Sequence, residues 1–261
     1  YACYFILRSA APQSRIFGGE HTTIEEYPFM ISLTYTYVGP GITIQRCAGG
    51  LLSSWHVLTT AFCFTGAINE NFGVRAGSTS SLSGGVVTSI AQVVKHHEYQ
   101  EAPRIADLAV IFVSQLIFMS PVINILQIPY QNYPINDGQA TTVVSWGFDS
   151  DNVQLEQLKS ITLHKIPIDE CHAIYDGVDN VHIDDRVICG GADNVGMCAG
   201  DSGAPMVINN VVVGIHSEFD ACGSDDADVF TRVDQYANWI IEVSTAPGKD
   251  GPKMIARNEV A

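Results

Sequence analysis

Ser202 stands in a short segment whose residue types suit acyl-transfer chemistry. The segment reads MCAGDSGAPMV over residues 197–207, so the serine lies between Asp201 and Gly203. Small residues on both sides of a serine allow a tight turn whose backbone N–H groups converge. Such a turn could hold an oxyanion with the amides of Gly200 and Ser202. A serine hydroxyl placed there becomes a nucleophile when a neighbouring base takes its proton.

The elements that would position this turn are predicted to be antiparallel strands. Short β-branched runs alternate with turn residues along the chain, as in FMISLTYTYV, GVVTSIAQVVKH, DLAVIFV, ATTVVSWG, QLKSITLHKI and PMVINNVVVGIHS. Many such strands are typical of a β-sandwich or a β-barrel. Two other segments have helical features: IDECHAIYD at 168–176 and VDQYANWIIEVS at 233–244. We therefore expect an all-β fold with a helix near the C-terminus.

The composition excludes several classes of protein. The 261 residues carry a formal net charge of −15, whereas nucleic-acid binding calls for clustered lysine and arginine. No apolar run reaches the roughly 18 residues that indicate a membrane span. The seven cysteines contain no C-x-x-C pair, so a zinc site is not expected. We also expect no cofactor. In a secreted chain six cysteines would form three bridges, and Cys3 is the one left over.

The two ends of the chain differ in composition from its middle. Residues 1–15 read YACYFILRSAAPQSR, a short apolar run followed by small residues. This pattern favours a signal remnant and activation peptide over the alternative of a loosely packed N-terminal arm. Residues 245–261 are rich in proline, glycine and charge, and we expect a flexible tail there. The folded domain is therefore predicted to extend over residues 16–244.

Several dispersed motifs, in a fixed order, resemble those of the chymotrypsin/trypsin-like serine protease family. Besides the GDSG turn they are RIFGGE at 15–20, CAGGLLSSWHVLTTAFC at 47–63, ADLAVI at 106–111 and DVFTRVDQYANWI at 228–240. The segments APQSRIFGGE and TTIEEYPFM are most similar to the moth-type digestive enzymes of insects. The resemblance implies two six-stranded antiparallel β-barrels of the chymotrypsin-like kind, followed by a C-terminal helix.

The same resemblance implies an activation step and a disulfide pattern. Cleavage is expected after Arg15, and the new ammonium group of Ile16 would pair with Asp201 and order the oxyanion turn. The implied bridges leave Cys3 alone and join the other six cysteines as Cys47–Cys63, Cys171–Cys189 and Cys198–Cys222.

One residue departs from the family at its chemical centre. The family's mechanism uses a serine, an imidazole base and a buried aspartate. Ser202 and Asp107 stand at their implied positions, but Phe62 occupies the position of the histidine. A benzene ring cannot accept a proton, and loss of a principal triad member costs about 10⁶ in turnover, or ~8 kcal/mol of barrier. His216 is the alternative base, although nothing in the sequence orients it toward Ser202.

Substitutions in the implied specificity pocket point in the same direction. The wall segment that reads Ser-Trp-Gly in the family reads Ser217, Glu218 and Phe219 here, and the Phe219 ring would obstruct the pocket mouth. At the pocket base Gly196 stands where trypsins have an acidic residue, and Asp228 lies on the opposite wall. This Gly/Asp pair resembles broad-specificity, collagenase-type relatives.

These residues leave three hypotheses for function. The first is a secreted homologue without catalytic activity that binds an extracellular partner: an active protease, an inhibitor, another lumenal protein or a ligand. The second is a serine endopeptidase with weak or atypical activity that uses another base. The third is a structural, storage or ligand-carrying protein of an insect lumen, where only 13 lysines and arginines would limit tryptic cleavage. All three imply secretion, with the gut lumen as one expected location.

Overall fold

The computed structural model describes residues 19–148, 153–154, 156–179, 181–193, 195–218 and 227–245. Predictions that fall outside these residues are those for Cys3, Arg15, Ile16, Phe219, Cys222 and the C-terminal tail beyond residue 245.

The described chain is built mainly from strands. In chain order they are β1 (Glu20–His21), β2 (Met30–Tyr37), β3 (Ile42–Ser53), β4 (His56–Thr59), β5 (Phe72–Ala76), β6 (Val86–Thr88), β7 (Ile90–Lys95), β8 (Gln100–Glu101), β9 (Arg104–Ile105), β10 (Ala109–Val113), β11 (Ala140–Ser145), β12 (Lys159–Lys165), β13 (Val187–Gly191), β14 (Pro205–Ile208), β15 (Val211–Glu218) and β16 (Asp228–Arg232). The two α-helices are α1 (Ile168–Ile174) and α2 (Ala237–Thr245), and 3₁₀ turns span Phe62–Phe64, Asn69–Asn71 and Val233–Gln235.

The first sheet is a curled half-barrel formed by the N-terminal half of the chain. Its strands follow the order β6-β5-β2-β3-β4-β10-β7, and every pairing is antiparallel. Alternating residues point inward, and side chains such as Ile31, Leu33 and Val74 are completely buried in one apolar core. A separate two-stranded hairpin, β8–β9, lies beside this sheet.

The second sheet closes into a barrel. Its order is β1-β12-β11-β14-β15-β16-β13, and a further pairing of β12 with β13 joins the two ends of the six strands β11–β16. The closing register places His164 opposite Gly191 and Lys165 opposite Gly190. The predicted all-β, chymotrypsin-like fold is therefore confirmed, with one closed six-stranded barrel and one seven-stranded half-barrel.

The disulfides and helices predicted from the sequence can be compared with the structure. The predicted Cys47–Cys63 and Cys171–Cys189 bridges are both present, and Cys198 is also disulfide-bonded. The two predicted helices are confirmed as α1 and α2, and the Ile240 side chain of α2 is completely buried against the barrel core. Among the described residues, no helix has the length and apolar character needed to cross a bilayer.

Candidate functional site: a cleft between the two sheets

Antiparallel pairing brings Phe62 and Asp107 together. Strand β4 ends three residues before Phe62, and β10 begins two residues after Asp107, with Thr59 opposite Ala109. The chain segments beyond these paired ends must therefore meet. The Phe62 backbone N–H donates a hydrogen bond of 2.8 Å to Asp107 Oδ1.

Asp107 is buried and has its hydrogen bonds satisfied without an imidazole. Its side chain is 1% exposed, and its Oδ2 accepts a 2.7 Å hydrogen bond from the Ser217 hydroxyl. Burial raises the pKa of Asp107, and the Ser217 hydroxyl, the Phe62 N–H and the Arg104 charge each act in the opposite direction. Each oxygen of the Asp107 carboxyl thus has a hydrogen-bond donor from the chain, and neither donor is an imidazole.

The turn at residues 200–203, for which an oxyanion-binding role was predicted, lies where the two sheets meet. Gly200 and Gly203 have φ values of +85° and +88°, a region that glycine enters without strain. The Ser202 carbonyl accepts a 2.9 Å hydrogen bond from the Ala48 N–H, which fixes the turn against β3 beside the Cys47–Cys63 bridge. No side chain in the described part of the chain makes a hydrogen bond with the Ser202 hydroxyl.

A residue that the sequence analysis missed fills the space above Phe62. The Arg104 guanidinium carbon lies 3.5 Å from the centre of the Phe62 ring. Its Nε is 2.8 Å from Glu218 Oε1, and its Nη1 donates to the Ser217 carbonyl. The side chains of Arg104 and Glu218 are only 16% and 22% exposed. The replacement of an apolar wall residue by Glu218 was the one sequence signal that indicated a nearby cation.

Asp201 lies completely buried beneath the oxyanion turn. Its Oδ2 accepts a 2.9 Å hydrogen bond from the Cys198 N–H. Burial raises the pKa of Asp201 to about 7, against the opposing effects of the Ser145 hydroxyl, the Cys198 N–H and the Lys159 charge. This environment favours the neutral, protonated form of the Asp201 carboxyl, and an additional cation beside it would favour the charged form.

The predicted pocket base is also buried. Gly196 is buried, and Asp228, which is 4% exposed, accepts a 3.0 Å hydrogen bond from the neighbouring Met197 N–H. Burial raises the pKa of Asp228 well above its ordinary value, and repulsion from Asp201 adds to this effect. Asp228 is thus engaged with the backbone next to Gly196.

His216, the alternative base, and two other histidines, His56 and His96, have other environments. His216 is completely buried edge-on to Phe230, and burial together with the Arg104 charge lowers its pKa to about 3. His56 Nδ1 lies 2.7 Å from the Ser53 hydroxyl, and His96 packs against the Trp239 ring. None of these imidazoles makes a hydrogen bond with Ser202.

One cluster in the described residues has donor atoms that could bind a metal ion. The ligand atoms of His96, His97 and Glu98 lie within 4.8 Å of one another on the turn after β7. His96 Nδ1 already accepts a 3.2 Å hydrogen bond from the Glu98 N–H. We assign no metal to this cluster.

Comparison with known proteins identifies the family. The sequence pattern of the Trypsin family matches residues 16–240. "Trypsin, alkaline B" of Manduca sexta is 33% identical over 236 residues, which cover 88% of this chain and 91% of that relative. "Trypsin CFT-1" of Choristoneura fumiferana is 33% identical over 233 residues, with 87% and 90% covered. The chain therefore belongs to the trypsin family.

Solved structures share this fold. Scabies mite inactivated protease paralogue S-D1 matches with a TM-score of 0.78 and 22% identity over 87% of this chain and 97% of that one. Paralogue S-I1 gives a TM-score of 0.75 and 25% identity, with 87% and 98% covered. Human heparin binding protein gives a TM-score of 0.76 and 24% identity, with 90% and 99% covered.

Proposed function

We propose that this chain is a secreted trypsin-family homologue without peptidase activity, which acts by binding an extracellular protein. The observation that carries the proposal is the position of Arg104, whose guanidinium lies 3.5 Å from the Phe62 ring centre. A hydrocarbon ring stands where a base must accept the serine proton, and a permanent cation covers it. A serine without a base remains an ordinary alcohol.

Three further observations support inactivity and limit the alternatives. His216 makes a poor replacement base because its pKa is lowered to about 3. The Ser217 carbonyl is engaged by Arg104, so it is not free to pair with a substrate main chain. A solved relative at 25% identity is itself described as an inactivated protease paralogue. The second hypothesis, a hydrolase with another base, therefore has less support than the first.

The partner is proposed to be a protein of the extracellular space. Disulfides and similarity to secreted insect trypsins support secretion. A polyanion of the heparin type, which the human neighbour's name indicates for that protein, does not suit a chain with net charge −15. We also propose that cleavage after Arg15 allows the Ile16 ammonium to reach Asp201, whose burial creates a demand for a cation.

The proposal is tested by labelling Ser202 with a fluorophosphonate and by peptide turnover. Arg15-cleaved wild-type protein should give neither signal above that of a Ser202→Ala control. Phe62→His alone should recover little activity because the adjacent Arg104 charge opposes the imidazolium that must form. Phe62→His combined with Arg104→Ala should recover at least about tenfold more, since that repulsion is removed. Labelling of wild-type Ser202 at ordinary protease rates would contradict the proposal.

A further inference from the structure

The place that Arg104 occupies has the features of a binding site for a guanidinium group. The Phe62 ring lies under one face of the planar cation, at 3.5 Å from the guanidinium carbon. At one edge of the guanidinium, Arg104 Nε lies 2.8 Å from the acceptor Glu218 Oε1. At another edge, Nη1 donates a hydrogen bond to the Ser217 carbonyl. A planar cation with donors along its rim fits a flat ring and separate edge acceptors better than a compact ammonium does.

The charges around this place also require a cation. The charge of Arg104 acts on both Glu218 and Asp107 and opposes the rise in pKa that burial causes in each carboxyl. Asp107 is 1% exposed, and the Glu218 side chain is 22% exposed, so water screens neither carboxylate fully. Removing one partner of such a pair leaves an uncompensated charge at considerable cost. Without Arg104 the site would therefore attract another cation.

The element that carries Arg104 is small enough to be displaced. Strands β8 and β9 contain two residues each and pair only with one another in the described sheets. A hairpin of this size depends on its neighbours for stability, and here they are the Glu218 and Ser217 partners of Arg104 and the core residues that Ile105 packs against. The net charge of −15 would attract a basic partner to the surface above it.

We propose that Phe62, Glu218 and the Ser217 carbonyl form a guanidinium-binding site whose resident ligand is Arg104. When the β8–β9 hairpin moves away, the site accepts the arginine side chain of a basic partner protein. This inference rests on the proposed function, because it assigns to the inactive cleft the chemistry of the partner that it binds.

The test removes the resident ligand and supplies a substitute. Purified Arg104→Ala protein is titrated with ethylguanidinium, ethylammonium and ethylurea at low millimolar concentration, with binding followed by calorimetry and by the melting temperature. Ethylguanidinium should bind at least about tenfold more tightly than ethylammonium, because it alone makes the stacking and edge contacts together. The uncharged ethylurea should not bind. Wild-type protein should show no binding because tethered Arg104 has a high effective concentration.

Two controls locate the binding and connect it with a protein partner. Glu218→Gln in the Arg104→Ala background should weaken ethylguanidinium binding by about tenfold or more, because a charge-assisted hydrogen bond is lost. The peptide acetyl-Ala-Arg-Ala-amide should bind the Arg104→Ala protein, whereas its citrulline counterpart should not. Arg104→Ser serves the same purpose if the alanine variant does not fold.

Equal binding of ethylguanidinium and ethylammonium would overturn the inference, as would binding that survives Glu218→Gln. These measurements require no catalysis. Failure to bind guanidinium would therefore leave the proposed inactivity standing, whereas labelling of wild-type Ser202 would overturn the proposed function without affecting the ligand titration.

Discussion

At the scale of single residues, the cleft shows how a buried carboxylate is held beside an aromatic ring. Asp107 receives hydrogen bonds from the Phe62 N–H and the Ser217 hydroxyl, and it is stabilised by the charge of Arg104. Arg104 in turn depends on the Phe62 ring and on Glu218. These residues contact one another as one set. The changes in unfolding free energy caused by single substitutions within the set should therefore not add up to the change in the combined variant.

Asp201 provides a prediction about pH. Its folded-state pKa of about 7 is above the ordinary value of 3.8, so the native state holds a proton that the unfolded chain releases between those values. The stabilisation is present below the ordinary pKa and is lost as pH rises through about 7. We expect wild-type stability to fall relative to Asp201→Asn by up to ~4 kcal/mol over this range. Urea unfolding between pH 4 and pH 8 measures it.

A control and a comparison sharpen this experiment. The exposed Asp193 provides the matched variant Asp193→Asn, which should run parallel to wild type over the whole range. Cleavage after Arg15 should flatten the wild-type slope if the Ile16 ammonium reaches Asp201. Identical profiles for wild type and Asp201→Asn would show that this carboxyl does not titrate as its burial implies.

At the scale of elements, the sequence predicted most of the strands but did not predict that Arg104 occupies the cleft. The run PMVINNVVVGIHS was predicted to be β-structure, and in the structure it forms β14 and β15, with Asn209 and Asn210 between them at φ values of +50° and +65°. The alternation of apolar and polar residues cannot predict β8 and β9, because each strand has only two residues and an alternating pattern needs more. Arg104 was missed for this reason. The closure of β12 on β13 was equally hidden, because it depends on pairing between distant segments.

The Cys47–Cys63 bridge should have a local as well as a global effect. It closes a separation of 16 residues and lies next to Phe62, whereas Cys171–Cys189 closes 18 residues between α1 and β13. Removing either pair should cost about 3 kcal/mol, because both loops are of similar length. Cys47→Ala/Cys63→Ala should in addition speed hydrogen exchange of the Phe62 amide beyond the global loss. Equal Phe62 exchange in the two double variants would contradict this local role.

At the scale of the whole molecule, charge separates this chain from proteins that bind polyanions. Its 28 acidic residues exceed its 13 lysines and arginines, which gives the net charge of −15. Such a surface repels anionic polymers and attracts basic proteins, with an effect that salt screens over about 8 Å at physiological ionic strength. The preference for basic partners thus agrees with the cation-binding chemistry of the cleft.

This charge yields a direct prediction. The protein should pass through a heparin column without retention at physiological ionic strength, because its net charge of −15 repels the polyanion. Human heparin binding protein, which shares the fold, serves as the retained control. Retention that salt abolishes would show that a local basic region outweighs the overall charge.

The contact between Arg104 and the Ser217 carbonyl should affect whether protease inhibitors bind to this protein. An inhibitor loop that adds to the cleft as an extended strand needs acceptors on the wall that are still unoccupied. Here the chain's own side chain already takes one of them. The protein should therefore bind such inhibitors more weakly than trypsins do, unless the inhibitor brings an arginine that replaces Arg104.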